Sequence, residues 1–397
     1  MDRRLQFTYI CEVDLSQHRG GTGHVVGVIR QLTELGHQVR LIVPAWREGL
    51  PPILDGVEVV RIPTGRIRVV NWVLFHALSS LYLAAILISK QVDVIYSREM
   101  VYNFLLPVIA WLSRRPFVVE VNSLVIDEQA MIQSSPMRTR LTRWSQALTF
   151  HAANRIIAVT RGIGEQLVAA YRLPPGRVVT VPNGTDPALF IPQAMGDARA
   201  AIHMPTEIPL IGFVGSCYPY HDVRTLIAAA PAILAAQPAA QFLIVGDGYM
   251  RQLWTDEVEQ SGLSSHFLFT GRIAYTLVST YMNACTVCVA PFTRERNEKI
   301  GLSPMKLYDY LACGRPVVGS AIEGVGDLLA VSGGGLAVTP EDPQAFGEAI
   351  LTLLNEPERR EAMGRQGRAY VLAHHTWAQT AEQVVACCRS AMTERKS

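Results

Sequence analysis

With 397 residues, 49% of them hydrophobic and 18% charged, the chain has enough apolar surface for two ordinary globular cores and too few charges to stay disordered. A formal net charge of +2 gives no global drive toward nucleic acid, and no nucleic-acid partner is expected. Seven cysteines, an odd number with several in apolar runs, point to reduced buried thiols; Cys285 and Cys288 have CxxC spacing but no second pair, which reads as core and not as a metal site.

In chain order, MDRRLQFTYICEV alternates as a strand and lacks the apolar run and cleavage site of a signal peptide, so a cytoplasmic location is expected. RGGTGH at 19–24 follows that strand and opens a helix beginning near His24. Its small residues let the backbone approach an anion, which makes Gly21 a position of close approach to phosphate. The spacing is not GxGxxG and no acidic residue closes a second strand, against a nicotinamide-dependent dehydrogenase. After RLIVPA, the segment VLFHALSSLYLAAILIS at 73–89 is almost free of charge but slightly short for a membrane span. It contains His76, Ser79 and Ser80 and runs at once into the strand VDVIYS, so it reads as a packed helix. Peripheral contact with the inner face of a membrane is left open by Arg61, Arg66, Arg68, Arg138, Arg140 and Arg143.

PFVVEVN, RIIAVT and VVTVPNG continue the strand-helix alternation, and the second half repeats it with PLIGFVGS, QFLIVGDG, FLFTGR, TVCVAPF and RPVVGS. Such alternation implies parallel sheets covered on both faces. The expected fold is α/β: two doubly wound, Rossmann-like domains facing across a cleft, over 1–190 and 205–375, with a proline-marked joint at 184–209 and a terminal helix over 376–397 that can cross back to the first domain. Gly246-Asp247-Gly248 ends a strand, either as a ligand loop or as a plain turn.

The richest stretch is Phe292 to Ser320. Ser303 reads as a helix N-cap and Pro304 as the first helical residue; Met305, Tyr308, Leu311 and Ala312 form an apolar stripe, Lys306 and Asp309 share the other face, and Gly314 ends the helix before a buried strand. A helix start beside a lysine favours phosphate, and the carboxylate can accept hydrogen bonds from ribose hydroxyls. The alternative is an ordinary loop-helix-strand unit with a solvated Lys/Asp pair.

In order and spacing, RGGTGHV at 19–25, VPNGTD at 181–186, FVGS with Tyr220-His221-Asp222, LIVGDG at 243–248, FTGR at 269–272, SPMKLYDYLACGRPVV at 303–318 and GGLAVTPEDP at 334–343 resemble family 4 of the retaining glycosyltransferases, the group 1 glycosyl transferases. The resemblance implies the glycosyltransferase B-type fold and a hexosyltransferase that moves a sugar from a nucleotide diphosphate donor, as co-substrate, without metal or other cofactor. It implies that Asp309 stands for the second glutamate of the E-x7-E motif and holds the ribose. Gly301 falls where the first glutamate stands, with Glu298 three residues away as its substitute. Ser216 and His221 occupy the places of the usual phosphate-neutralising arginine and lysine. Lys306 is then the replacement charge, and His221, when protonated, a second phosphate contact. Gly21, Gly246, Arg272, Ile273, Ser303 and Met305 complete the donor side. On the acceptor side His24 and Asn122 are implied, with Glu120 or Glu128 for proton handling. The implied acceptor is a sugar, a lipid-linked carrier or a small molecule. A non-hydrolysing sugar-nucleotide epimerase and a catalytically silent sugar-nucleotide-binding protein are the alternatives.

Overall fold

The inner strands are short runs rich in Val, Ile, Leu and Phe, as suits parallel sheets buried on both faces. The computed structural model describes residues 3–15, 20–45, 54, 56–63, 68–89, 92–131 and 135–393; Arg19, Arg66 and the side chain of Arg68, invoked above, lie outside these. The chain folds into two compact units, Met1–Pro182 with Trp377–Ser397, and Asn183–Thr376.

The first unit begins with β1 (Gln6–Ile10), α1 (Gly20–Glu34), β2 (Gln38–Pro44), β3 (Glu58–Ile62), α2 (Arg68–Ile88) and β4 (Val94–Arg98). It continues through α3 (Leu105–Ser113), β5 (Phe117–Val121), α4 (Val125–Met131), α5 (Pro136–Ala152), β6 (Arg155–Ala158), α6 (Arg161–Tyr171) and β7 (Val178–Thr180). All pairings are parallel, in the order β3-β2-β1-β4-β5-β6-β7. The order reverses between β1 and β4, so the crevice of this unit opens at the carboxyl ends of those two strands.

The second unit runs α7 (Met195–Ala201), β8 (Leu210–Val214), α8 (Val223–Ala236), β9 (Gln241–Val245), α9 (Arg251–Gln260), β10 (Phe267–Gly271), α10 (Val278–Ala284) and β11 (Val287–Ala290). Then come α11 (Arg294–Ile300), α12 (Met305–Ala312), β12 (Val317–Ser320), α13 (Gly326–Ser332), β13 (Gly335–Val338), α14 (Pro343–Asn355) and α15 (Pro357–His374). Its sheet is also wholly parallel, ordered β10-β9-β8-β11-β12-β13, with the reversal between β8 and β11. Separate apolar clusters cover its two faces, one around Tyr310, Leu311 and Leu307 and the other around Phe213, Trp254 and Phe346. Cys285 and Cys288 are unpaired and buried at the α10–β11 junction. The joint read at 184–209 falls inside this unit, where Thr185 pairs with Thr376.

Three local expectations are revised. The helix read as starting near His24 begins at Gly20, so His24 sits inside α1. Ser303 is not the cap of α12: Pro304 takes that place at φ −82° and ψ 109°, and no side chain caps the helix. The apolar segment read as packed is packed along one stripe only, with Phe75, His76, Ser79, Ser80 and Leu83 buried and Val73, Leu74 and Leu81 exposed.

The last helix, α16 (Trp377–Thr393), packs on α1 in the first unit. The Trp377 ring meets His24 edge-on at 5.2 Å between centroids, and a Cβ at Gly27 would lie 2.5 Å from it. Gly27→Ala would ordinarily stabilise a helix by about 1 kcal/mol. Here it should instead lower stability by about 1–3 kcal/mol through overpacking, read as a lower urea midpoint with an unchanged slope.

Candidate active site

At the reversal point of the second unit the ends of β8 and β9 come within backbone contact. Gly215 N–H donates to Val245 O at 2.9 Å, and a Cβ at Gly246, whose φ is +133°, would lie 1.9 Å from Gly215 O. Only glycine fits at 246. The loop 216–222 is tied to the end of β11 by Asp222 N–H to Pro291 O at 3.1 Å and Thr293 N–H to Tyr220 O at 3.2 Å. Asp222 caps α8, accepting from Thr225 N–H.

Lys306 projects from the first turn of α12 into this frame. Its Nζ lies 4.0 Å from the centre of the Phe213 ring, and a side chain at Gly215 would collide with it at 2.5 Å. It donates to His221 Nε2 at 3.0 Å, while His221 Nδ1–H donates to Ser216 O at 2.6 Å. Among the described residues no carboxylate pairs with Lys306, and burial lowers its pKa to about 7. Burial and the Lys306 charge together push His221 well below the usual histidine range. This corrects the expectation of a protonated His221 on phosphate: both ring nitrogens are engaged, and the ring is a neutral acceptor that orients Lys306. Ser216 is exposed, with its carbonyl turned to His221.

Asp309 stands one turn beyond Lys306 and accepts from Thr185 Oγ1 at 2.6 Å. Burial raises its pKa to about 8, against the Thr185 hydrogen bond and with help from Asp186. The Ser303 hydroxyl accepts from Asn183 N–H at 2.9 Å, and Asn183 Nδ2 donates to Ser303 O at 2.7 Å. NGTD at 183–186 thus lies along α12, a juxtaposition of distant segments that the sequence order alone does not signal. Met305 opens α12 half-buried, Ile273 packs on the core, and Arg272 is exposed beyond β10.

Glu298 is turned outward on α11, half exposed and 3.6 Å from Arg294 on the same helix. Gly301 has φ +65°, and a Cβ built there would lie 3.6 Å from the carboxyl carbon of Glu323. Glu323 is on the loop after β12, anchored by Leu302 N–H to Glu323 O at 2.9 Å. Gly324, at φ +86°, could not carry a Cβ, which would meet Leu302 O at 1.8 Å. Spacing along α11 draws attention to Glu298; Glu323 becomes visible only once β11 and β12 lie side by side.

In the first unit, His24 Nε2 lies 2.7 Å from Glu120 Oε1, Arg98 Nε lies 3.8 Å from the same oxygen, and Tyr96 donates to Oε2. Burial alone would raise the Glu120 pKa, but His24, Arg98 and Tyr96 outweigh it and hold the carboxyl at about 2. A buried, permanently ionised carboxylate does not serve as a base near neutral pH, which corrects the proton-handling role given to Glu120. Glu128 is exposed on α4. Glu99, directly after β4, went unnoticed in the sequence; burial raises it to about 7, partly offset by Gln146. Asn122 follows β5, half-buried. Gly21 lies in the first turn of α1, where its carbonyl accepts from Arg98 Nη1 at 3.2 Å; the close neighbour it admits is that guanidinium.

Residues 208–356 match the family described as "Glycosyl transferases group 1", and residues 18–189 match "Glycosyltransferase Family 4". D-inositol 3-phosphate glycosyltransferase 1 of Catenulispora acidiphila is 27% identical over 397 residues, covering 95% of this chain and 93% of that protein. A GDP-mannose-dependent monoacylated alpha-(1-6)-phosphatidylinositol monomannoside mannosyltransferase of Corynebacterium glutamicum is 31% identical over 207 residues, 50% of this chain and 52% of that one. In fold, the crystal structure of Anabaena HepE in complex with UDP and glucose superposes with a TM-score of 0.76 at 15% identity, covering 98% of this chain and 100% of that one.

The two shifted groups on α12 impose opposite pH slopes on stability. Folded Asp309 holds a proton up to about pH 8 that the unfolded chain releases near 3.8, so its contribution is lost as pH rises through that window. Lys306 gives up its proton near 7 when folded and near 10.5 when unfolded, so stability is regained between those values. Asp309→Asn should therefore gain in melting temperature relative to wild type from pH 5 to 8, and Lys306→Met should lose the wild-type rise between pH 7 and 10.

Proposed function

Because the chain belongs to glycosyltransferase family 4, the group 1 glycosyl transferases of B-type fold, we propose that its second unit binds a nucleoside diphosphate sugar along α12 and that the sugar passes to an acceptor hydroxyl with its configuration kept. The observation that carries this reading is Lys306: an ammonium with no anion beside it among the described residues, at the uncapped start of a helix and one turn from the Asp309 carboxyl group. A diphosphate seated there meets both the helix N-terminus and the lysine, and its charge restores the protonated lysine that burial disfavours. Asp309 accepts from the ribose hydroxyls as a carboxylate, so donor binding draws a proton off it.

In the reaction the bond from the anomeric carbon to the phosphate oxygen breaks and a bond from the same carbon to the acceptor oxygen forms on the same face. The acceptor proton goes to the departing phosphate oxygen. Lys306 stabilises the charge that grows on the diphosphate, and His221 keeps Nζ pointed at it. The carboxylate for the donor-sugar hydroxyls is Glu323, which stands beside the Cβ-less Gly301, and not Glu298, which faces outward on α11.

The first unit supplies the acceptor side, with Asn122, directly after β5, as a hydroxyl partner. The acceptor class best supported is a lipid-linked sugar or polyol met at the inner membrane face, in keeping with a relative named for a phosphatidylinositol mannoside acceptor.

A panel of nucleoside diphosphate sugars scored by thermal shift, followed by turnover with and without acceptor, tests the reading. One donor should raise the melting temperature and release its nucleoside diphosphate only with acceptor present. Stabilisation by none, or conversion of the donor to its epimer, would refute it. With the active donor, Glu323→Gln should lower kcat/KM roughly 10- to 100-fold, the loss of one hydrogen bond to a charged acceptor, and Glu298→Gln less than about 3-fold. The reverse order would return the role to Glu298.

A further inference from the structure

We infer that the outer face of α2, α3 and α5 in the first unit lies on an anionic lipid leaflet, with these helices in the plane of the interface. Single exposed apolar side chains are ordinary, but here they recur on three adjoining helices. α2 exposes Val73, Leu74 and Leu81; α3 exposes Val108, Trp111 and Leu112; α5 exposes Met137, Leu141 and Trp144. Trp111 is 63% and Trp144 66% exposed, a costly placement in water and a favourable one at the headgroup boundary. The helices form one assembly: Trp72 of α2 meets Tyr102 edge-on at 5.0 Å, Tyr102 N–H donates to Ser145 Oγ of α5 at 2.6 Å, and α3 packs against both helices.

Charge selects the occupant. None of the three helices contains an aspartate or a glutamate. Arg138, Arg140 and Arg143 are exposed on α5, Arg114 ends α3, and none of these is ion-paired among the described residues. A second copy docked on this face through a two-fold axis would set arginine against arginine, because such a contact uses the same patch twice and the three helices themselves carry no carboxylate. Anionic headgroups supply the missing charge. Nor does α2 cross the bilayer, although its length and composition would allow it. Its inner stripe carries His76, whose Nε2 is 3.1 Å from Glu12 Oε2, and Ser80, which donates to His76 O and Asn103 Oδ1. Extraction would strip those polar contacts into hydrocarbon. The result is a surface-lying helix face with a basic flank.

This deepens the lipid-linked acceptor reading, yet it stands on residues outside the reaction site and is tested without substrate. The full chain is sedimented with phosphatidylcholine vesicles lacking or containing phosphatidylglycerol. Wild type should partition onto the anionic vesicles, less so as salt rises. Replacing Arg138, Arg140 and Arg143 together by Gln should lower that partition about 100-fold, at about fivefold per arginine. Trp111→Ser with Trp144→Ser should lower it at least about 10-fold on both vesicle types, since the loss is of buried apolar area. Unchanged melting temperatures establish that the variants are folded. Absence of wild-type partition, or a concentration-dependent dimer that Trp144→Ser dissolves, would overturn the inference. Vesicle binding without any donor-induced thermal shift would instead sink the reaction reading and leave this one standing.

Discussion

An ammonium buried without a carboxylate beside it organises the donor-side end of the second unit. Lys306 reaches its place only because Gly215 has no side chain, and its proton is held by a neutral ring nitrogen of His221 and the face of Phe213. Desolvation without full repayment brings its pKa to about 7. The glycines at 215 and 246, the loop 216–222 tied to the end of β11, and the uncapped start of α12 all serve that one placement. A site that keeps a cation undercompensated sacrifices stability for attraction to an anion, and the attraction is strongest when negative charge grows on a leaving diphosphate.

The two units share a topology but not an electrostatic plan. At the carboxyl ends of β1, β4 and β5 the buried Glu120 is matched by His24, Arg98 and Tyr96, and stays ionised. That cluster joins α1, β4 and β5 and, through the His24–Trp377 contact, also α16, which makes it a fastening of the unit. The groups poised near neutrality are others: Glu99 in the first unit, Lys306 and Asp309 in the second. Burial alone does not mark a reactive group. What separates Glu120 from Glu99 is whether partners outweigh the desolvation.

On the outside of the first unit the same economy of charge has another use. α2 satisfies its polar groups on one stripe and leaves the other to solvent, and α3 and α5 extend that apolar face with two tryptophans and an arginine flank. Reading α2 as a core helix followed from its composition. Its packing on one side only follows from where β2, β3 and α3 end against it.

Much of this was legible in the residues themselves. Alternation of apolar runs with helical stretches identifies two parallel sheets, and the spacing of Lys306 and Asp309 on one helix is a matter of periodicity within eight residues. Glycines at strand ends likewise announce close backbone approach. Properties that depend on distant segments meeting were decided by the tertiary structure alone. Asn183 beside Ser303 leaves that serine no capping role, Lys306 beside His221 keeps the ring neutral, and the loop after β12 puts the Glu323 carboxyl at Gly301 while Glu298 turns away. Local periodicity determines which face a side chain takes; which charge, partner or neighbouring loop it then meets is set by desolvation and strand order, and neither can be read from a single window of sequence.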